Sequence, residues 1–572
     1  MPIFGVPPMM QNFMYKLSEW NPQLLREIKG RWQLRNILLA VAVSLLSQFI
    51  LFIYCQTQLP AQYINSYSSY EITHKYCTGV TNDFNSPSCL LDEYDRVIIN
   101  WQLWSQDVFT LLSFTAILTL LVGGAYLLIS DLATEERRAT LNFIRLSPQS
   151  PESILYGKML GVPILLYFGL SLAIPFHLSL GINAQIPLIQ ILCFYGVLIV
   201  SSIFYYSGAL LFGLVGTWLG GFQAWLGSGL ILGFLLLAKA ALRDSRTGNY
   251  PFTIFHLFSP NYFLNDYSGE FEFAGIHWFA LPLGSSLPIM VCFNILVYLI
   301  GTYFFWQSLN RCYRDKNATM LSKKQSYLLT SCFVILTLGF ANWQSQFLDK
   351  SYSYLGLKEN LATLMFLDLG LFLYLIAALT PNRQTLQDWS RYRHMYMYQK
   401  LGKSKLISDL IWGEKSPGIL AIAINAIIAI SCLIFFTLVV PGSTSDKLIV
   451  LLSVVFAGSL AIIYAALAQL LLLMKNEQRL FWANGMVGTV IILPPIVLAM
   501  LFSNPGNQPF LWLLSVAAPI IILYPSTGYI PTMTAFLALL GHGGILGLLM
   551  FQITRQLKKS GESATKALLA GN

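Results

Sequence analysis

Runs of about 18 or more apolar residues recur along the whole chain, and no soluble fold can absorb so many of them. They fall at 37–54, 108–129, 159–182, 187–215, 221–240, 286–308, 327–345, 361–380, 418–440, 447–474, 483–503 and 533–553, with a weaker stretch at 510–530. In hydrocarbon each must satisfy its own backbone, which restricts these runs to helices. Charged residues make up only 11% of the 572 positions, too few to cover a water-soluble surface of this size. The fold class expected is an all-α polytopic membrane protein with about twelve crossings.

Lysine and arginine set the expected orientation, because they are retained on the cytoplasmic side of short loops. Arg26, Lys29, Arg31 and Arg35 precede the first run, and Arg555, Lys558 and Lys559 follow the last. Both termini are therefore expected to be cytoplasmic, in a multi-pass protein of the cytoplasmic (inner) membrane. An even number of crossings then makes 510–530, which ends in Tyr524-Pro525-Ser526-Thr527-Gly528, a re-entrant segment. Lys239, Arg243 and Arg246 fall on the outer side and run against the trend. The net charge of +9 follows from this distribution. Basic residues scattered over many loops give no single face for a nucleic acid. The first run lacks a small-residue cleavage site and is expected to persist as an anchor.

Of the eight cysteines, Cys77 and Cys89 share the polar loop 55–107, which this orientation places outside. A bridge between them would stabilise the loop by about 3 kcal/mol; two free thiols are the alternative. The six histidines show no metal-ligand spacing, and no metal site is expected.

The order of spans and loops suggests two six-helix halves, 1–317 and 318–572. Ahead of the first span, Asn21 caps a short helix with Pro22 at its first position. Its Leu24, Leu25, Ile28 and Trp32 fall on one face, with Arg26, Glu27, Lys29 and Arg31 around the rest, as in a helix lying in the membrane interface. Between the second and third spans lies a charged hairpin, 131–158. Helical propensity runs from Asp131 to Leu146 and places Leu141, Ile144 and the stem of Arg145 on one stripe, behind an entrance of Glu135, Glu136, Arg137 and Arg138. Pro148 ends this helix, and Ser150, Pro151 and Glu152 start another that enters the membrane through Gly157 and Lys158.

This hairpin resembles the cytoplasmic pattern of the permease subunits of type-2 ABC exporters. The matching positions are Glu136, Arg137, Thr140, Leu141, Ile144, Ser147, Pro148, Ser150, Glu152, Ile154, Gly157 and Lys158, with Ala139 where Gly is usual and Asn142 where Glu is usual. The segment from Asn21 to Arg31 is similar to the elbow helix of those permeases. In the second half, Trp412-Gly413-Glu414-Lys415-Ser416-Pro417 is a degenerate counterpart of the pre-membrane turn. The resemblance implies coupling helices that dock on separate ABC-type ATPase subunits, a dimer, which bind the ATP. It also implies a transport subunit without catalytic residues or a cofactor of its own. The sequence agrees in lacking a phosphate-cradling loop: Gly402-Lys403-Ser404 has Met397 where the first glycine belongs. The cargo expected is hydrophobic or amphipathic.

Two other classes are compatible with particular residues. A membrane glycosyltransferase using a lipid-linked sugar would place its acidic pair in Asp92-Glu93-Tyr94-Asp95. An ion-coupled carrier would use Asp368, which sits about 10 Å into the span 361–380.

Overall fold

A computed structural model of the chain describes residues 16, 19–60, 73–80, 87–94, 96–243, 251–260, 263, 276–341, 343, 353–398, 403–441, 443–476, 478–502, 504–525 and 531–570. The described elements are helical, and pairing between extended segments is confined to isolated bridges such as Thr73–Ser88 and Leu91–Val97. Among the described residues, ten helices or helical stretches are long and apolar enough to cross a membrane. The protein is thus a polytopic helical membrane protein.

The chain forms two compact units. The first comprises residues 1–245, 255–274 and 284–305, and the second residues 246–254, 275–283 and 306–572. In the first unit, the elbow helix α1 (Pro22–Arg31) leads into α2 (Leu34–Thr57), of which only Cys55 is buried, as expected of a helix surrounded by lipid. The centre of the unit is α3 (Trp101–Arg137), a single helical stretch with a π-helical turn at Leu118–Gly123. A π turn loosens the regular bonding, and here the Tyr206 hydroxyl donates to the Leu120 carbonyl at 2.7 Å. Phe109, Leu121, Ala125, Leu128 and Ile129 of α3 are fully buried.

Beyond α3 come α4 (Thr140–Arg145), α5 (Pro151–Gly161), α6 (Ile164–Ser171), α7 (Ile174–Asn183), α8 (Leu188–Val215) and α9 (Gln223–Arg243). A 3-10 turn at Gly216–Phe222 separates α8 from α9. Lys239 near the end of α9 lies 3.7 Å from the centre of the Phe114 ring, a cation–π contact that accounts locally for a lysine against the general charge pattern. The short α10 (Thr253–Leu257) and the long α11 (Leu287–Arg314) follow.

The second unit contains α12 (Lys323–Gly339), α13 (Ser353–Leu379), α14 (Arg383–Tyr398), α15 (Lys403–Trp412), α16 (Ile419–Val439), α17 (Thr444–Leu472), α18 (Arg479–Leu501), α19 (Pro509–Leu513), α20 (Ala518–Leu523) and α21 (Thr532–Ala570). Ser322 and Gln325 form a reciprocal capping box that fixes the start of α12. The unit's core joins Leu371, Leu375, Ala421, Ala426, Phe456 and Tyr464. Residues 509–523 form two helices too short to cross a bilayer, and residues 526–530 of the expected re-entrant segment lie outside the described residues.

Candidate functional site

The elbow helix, the end of α3 and the start of α5 converge on one lysine. Asn21 caps α1 by accepting from the Leu24 N–H at 2.9 Å, and its amide donates to the Ser153 carbonyl at 2.7 Å. Ser150 caps α5 by accepting from the Ser153 N–H at 3.1 Å, with Pro151 at the first helical position. The two helices can touch along Gly157 and Gly161, which are four residues apart and share one face. A Cβ on Gly157 would lie 2.8 Å from the backbone nitrogen of Leu24, and one on Gly161 would lie 2.5 Å from the Glu27 Cβ. This close approach carries the Lys158 side chain into the junction.

Lys158 is completely buried and ion-paired with Asp131 at 2.6 Å, Glu135 at 2.8 Å and Glu27 at 3.4 Å. Arg31 bonds Asp131 at 2.6 Å and also pairs with Glu27, while Arg26 reaches Glu135 at 3.5 Å. Three carboxylates thus face three cations, and the cluster is neutral as a whole. Burial acts to lower the Lys158 pKa, but Asp131, Glu27 and Glu135 together outweigh it and leave the pKa raised. The three carboxylates stand close enough together for a metal ion, but the ammonium of Lys158 already supplies the positive charge there.

The structure corrects the expected hairpin in two respects. The helix does not run unbroken from Asp131 to Leu146: α3 ends at Arg137, Ala139 takes a left-handed conformation (φ 56°), and α4 starts afresh at Thr140. This is the position where the resembling pattern carries glycine, the residue that tolerates such a φ. The turn also redirects the apolar stripe. Leu141 and Ile144 are buried against the protein itself, so neither belongs to the exposed surface of the hairpin. Phe143 and Leu146 are instead 81% and 84% exposed.

The remaining hairpin positions divide in the same way. Glu135, Gly157 and Lys158 are internal, whereas Arg137, Arg138, Thr140, Pro148 and Ser150 are exposed, with Glu136 and Glu152 half-buried. In the elbow, Asn21 and Glu27 are buried and Pro22 and Arg26 exposed. The inward position of Glu27 was hidden in the sequence by the basic residues around it. A lysine directly following Gly157, with Gly161 further along the same face, was the available signal for a buried ion pair.

The second unit contains a different lysine-centred junction. Lys323, in the first turn of α12, is buried and donates to the Leu410 carbonyl at 2.6 Å, the Ser416 hydroxyl at 2.6 Å and the Pro417 carbonyl at 3.2 Å. These acceptors belong to the end of α15 and the turn before α16. The Tyr327 hydroxyl donates to the Ile411 carbonyl at 2.8 Å, and Arg311 pairs with Glu414 at 2.8 Å. With no carboxylate in direct contact, burial pushes the Lys323 pKa down to about 8, the more distant Asp409 opposing it.

The other expected positions stand apart from both junctions. Cys77 and Cys89 are joined by a disulfide. Asp92 accepts from the backbone N–H groups of Tyr94 at 2.7 Å and Arg96 at 3.2 Å, so its carboxylate closes its own turn; Asp95 lies outside the described residues. His177 is held between Ser113 at 2.6 Å and Tyr195 at 2.7 Å, and Ser113 in turn donates to the Phe109 carbonyl, which ends the chain of bonds on the backbone. Asp368 is buried on α13. Comparison of the chain with protein-family models, with curated proteins and with solved structures finds no match.

Proposed function

We propose that the chain is the membrane-spanning permease of an ATP-driven exporter of the type-2 ABC class, with separate ATPase subunits supplying the energy. The observation that carries this reading is the hairpin. It presents two apolar side chains, Phe143 and Leu146, while its base is held to the elbow helix and to α3 by the buried Lys158 cluster. An element that receives a push must have both a gripping surface and a stiff root. Arg137 and Arg138, exposed beside the apolar pair, set the register on the partner, and Phe143 and Leu146 fill its groove.

ATP-driven closure of the ATPase dimer then moves the hairpin, and the ion pairs pass that movement to α1 and α3. Removing Lys158 would leave three carboxylates facing only Arg26 and Arg31, at about 3–5 kcal/mol for a buried pair broken on one side. Splitting the Leu188–Lys239 stretch at its 3-10 turn and adding the 17-residue α12 brings the ten candidate spans to twelve. On this reading there are six in each half, both termini are cytoplasmic, and α19 and α20 form the re-entrant segment. The cargo is a hydrophobic or amphipathic molecule, since the spans carry few charges.

The test is ATP hydrolysis that co-purifies with the chain in lipid nanodiscs. Wild type retains it, Phe143→Asp and Leu146→Asp lose it with the permease still folded, and Leu141→Ala weakens the permease's own thermal stability. Absence of an associated ATPase under every nucleotide condition, or full retention by both aspartate variants, would overturn the reading.

A further inference from the structure

At the midpoint of the apolar stretch Gly356–Leu379 of α13 lies Asp368, 7% exposed. The exposed stripe of that helix is Phe366, Gly370, Leu373 and Ala377, and at 100° per residue Asp368 points directly away from it, into the second unit. Among the described residues its carboxyl makes no hydrogen bond and no ion pair, and its electrostatic neighbour is the Cys432 thiol on α16. About two turns earlier on the buried side, the side-chain carbonyl of Asn360, a residue only 2% exposed, also has no hydrogen-bond donor. The buried side of α13 therefore carries a carboxyl group and, about two turns away, an amide carbonyl without a donor.

Among the described residues, no ion pair links Asp368 to a counter-charge. The elements packed on α13 include α12, α16, α17 and α20. Their charged residues are Lys323 and Lys324 in the first turn of α12 and Asp446 and Lys447 in the first turn of α17, while α16 and α20 have none. Deeper in these helices the titratable groups are Tyr327, Cys332, Cys432 and Tyr464, all neutral near pH 7. On α13 itself, Lys358 and Glu359 lie toward one end and Tyr374 toward the other. Among the described residues, an ionised carboxylate in this position would have no ion-pair partner at membrane depth.

We propose that Asp368 is a proton-binding site, held as the neutral acid while α13 packs on α16 and ionising only when that contact opens. An uncompensated charge inside a helical bundle is strongly disfavoured, so losing the proton and separating the helices are linked events. Proton uptake closes the contact and proton release accompanies its opening. This gives the second unit a two-state element that responds to protons, and it does not depend on an ATPase partner.

The full chain in phosphatidylcholine vesicles, treated with dicyclohexylcarbodiimide, tests this directly. The reagent adds to a protonated carboxyl: the acid oxygen bonds to the carbodiimide carbon, the acid proton moves to nitrogen, and the adduct is read by peptide mass spectrometry. The expected result is an adduct at Asp368 whose yield falls about tenfold per pH unit above a midpoint, as for a single titrating group. In parallel, alkylation of the native Cys432, taken as the ratio of wild type to Asp368→Asn, equals one below that midpoint and rises above it. No adduct at Asp368, a yield constant from about pH 5 to about pH 9, or a Cys432 ratio that stays at one would overturn the proposal. The carbodiimide profile needs wild-type protein alone, so a poorly folding Asn variant does not remove the test.

Discussion

Two buried lysines in this protein differ in what surrounds them, and their responses to pH should differ accordingly. Lys158 has three carboxylates, which raise its pKa, so its contribution is complete below the ordinary lysine value of 10.5 and is lost only above that. Lys323 has neutral acceptors, and its pKa falls to about 8. Between about 8 and 10.5 the folded protein then binds fewer protons than the unfolded chain, so folding is favoured progressively as pH rises through that window. The stability of wild type relative to Lys323→Met should grow over that interval, by at most about 1.4 kcal/mol per pH unit. Thermal unfolding of both proteins at a series of pH values checks this, and a difference that shrinks with pH would contradict it. Gly157 and Gly161 mark Lys158 for burial, but the sequence does not show which groups either lysine meets, because each shift depends on groups distant along the chain.

The hairpin shows what an element's sequence encodes and what it omits. Ser150, Pro151 and Glu152 mark the start of α5, and Asn21 with Pro22 marks α1; the observed caps use those side chains. Local chemistry suffices there because a cap bonds to nitrogens two or three residues away. The left-handed turn at Ala139 has no such local mark, since alanine favours continuing a helix. Packing imposes it, at about 1–2 kcal/mol for a residue with a Cβ. Ala139→Gly should therefore raise thermal stability by about 1 kcal/mol and leave ATPase association unchanged; destabilisation would show that the turn is not strained. The same turn decides that Phe143 and Leu146 face outward and Leu141 and Ile144 inward, which a helical wheel drawn through 131–146 reverses.

At the scale of the molecule, topology is the prediction that most exposes the proposed function to failure. Val80 and Phe143 are both well exposed. In intact cells an impermeant thiol reagent should label a cysteine placed at Val80 and spare one placed at Phe143, the native cysteines being controlled for in the parent protein; the opposite pattern would turn the hairpin away from any cytoplasmic ATPase. The sequence by itself determined the helical membrane class, since apolar runs of this length leave a backbone in lipid only one way to satisfy its hydrogen bonds. It also determined where α1 and α5 begin, through caps that act over a few residues. Only the tertiary structure decided that Glu27, Asp131 and Glu135 meet on Lys158, that Leu141 is internal, and that Asp368 faces the second unit with no ion-pair partner among the described residues. Each of these depends on which side of a helix meets a partner more than a dozen residues away, and helical periodicity fixes the spacing of side chains but not the direction in which the helix is turned.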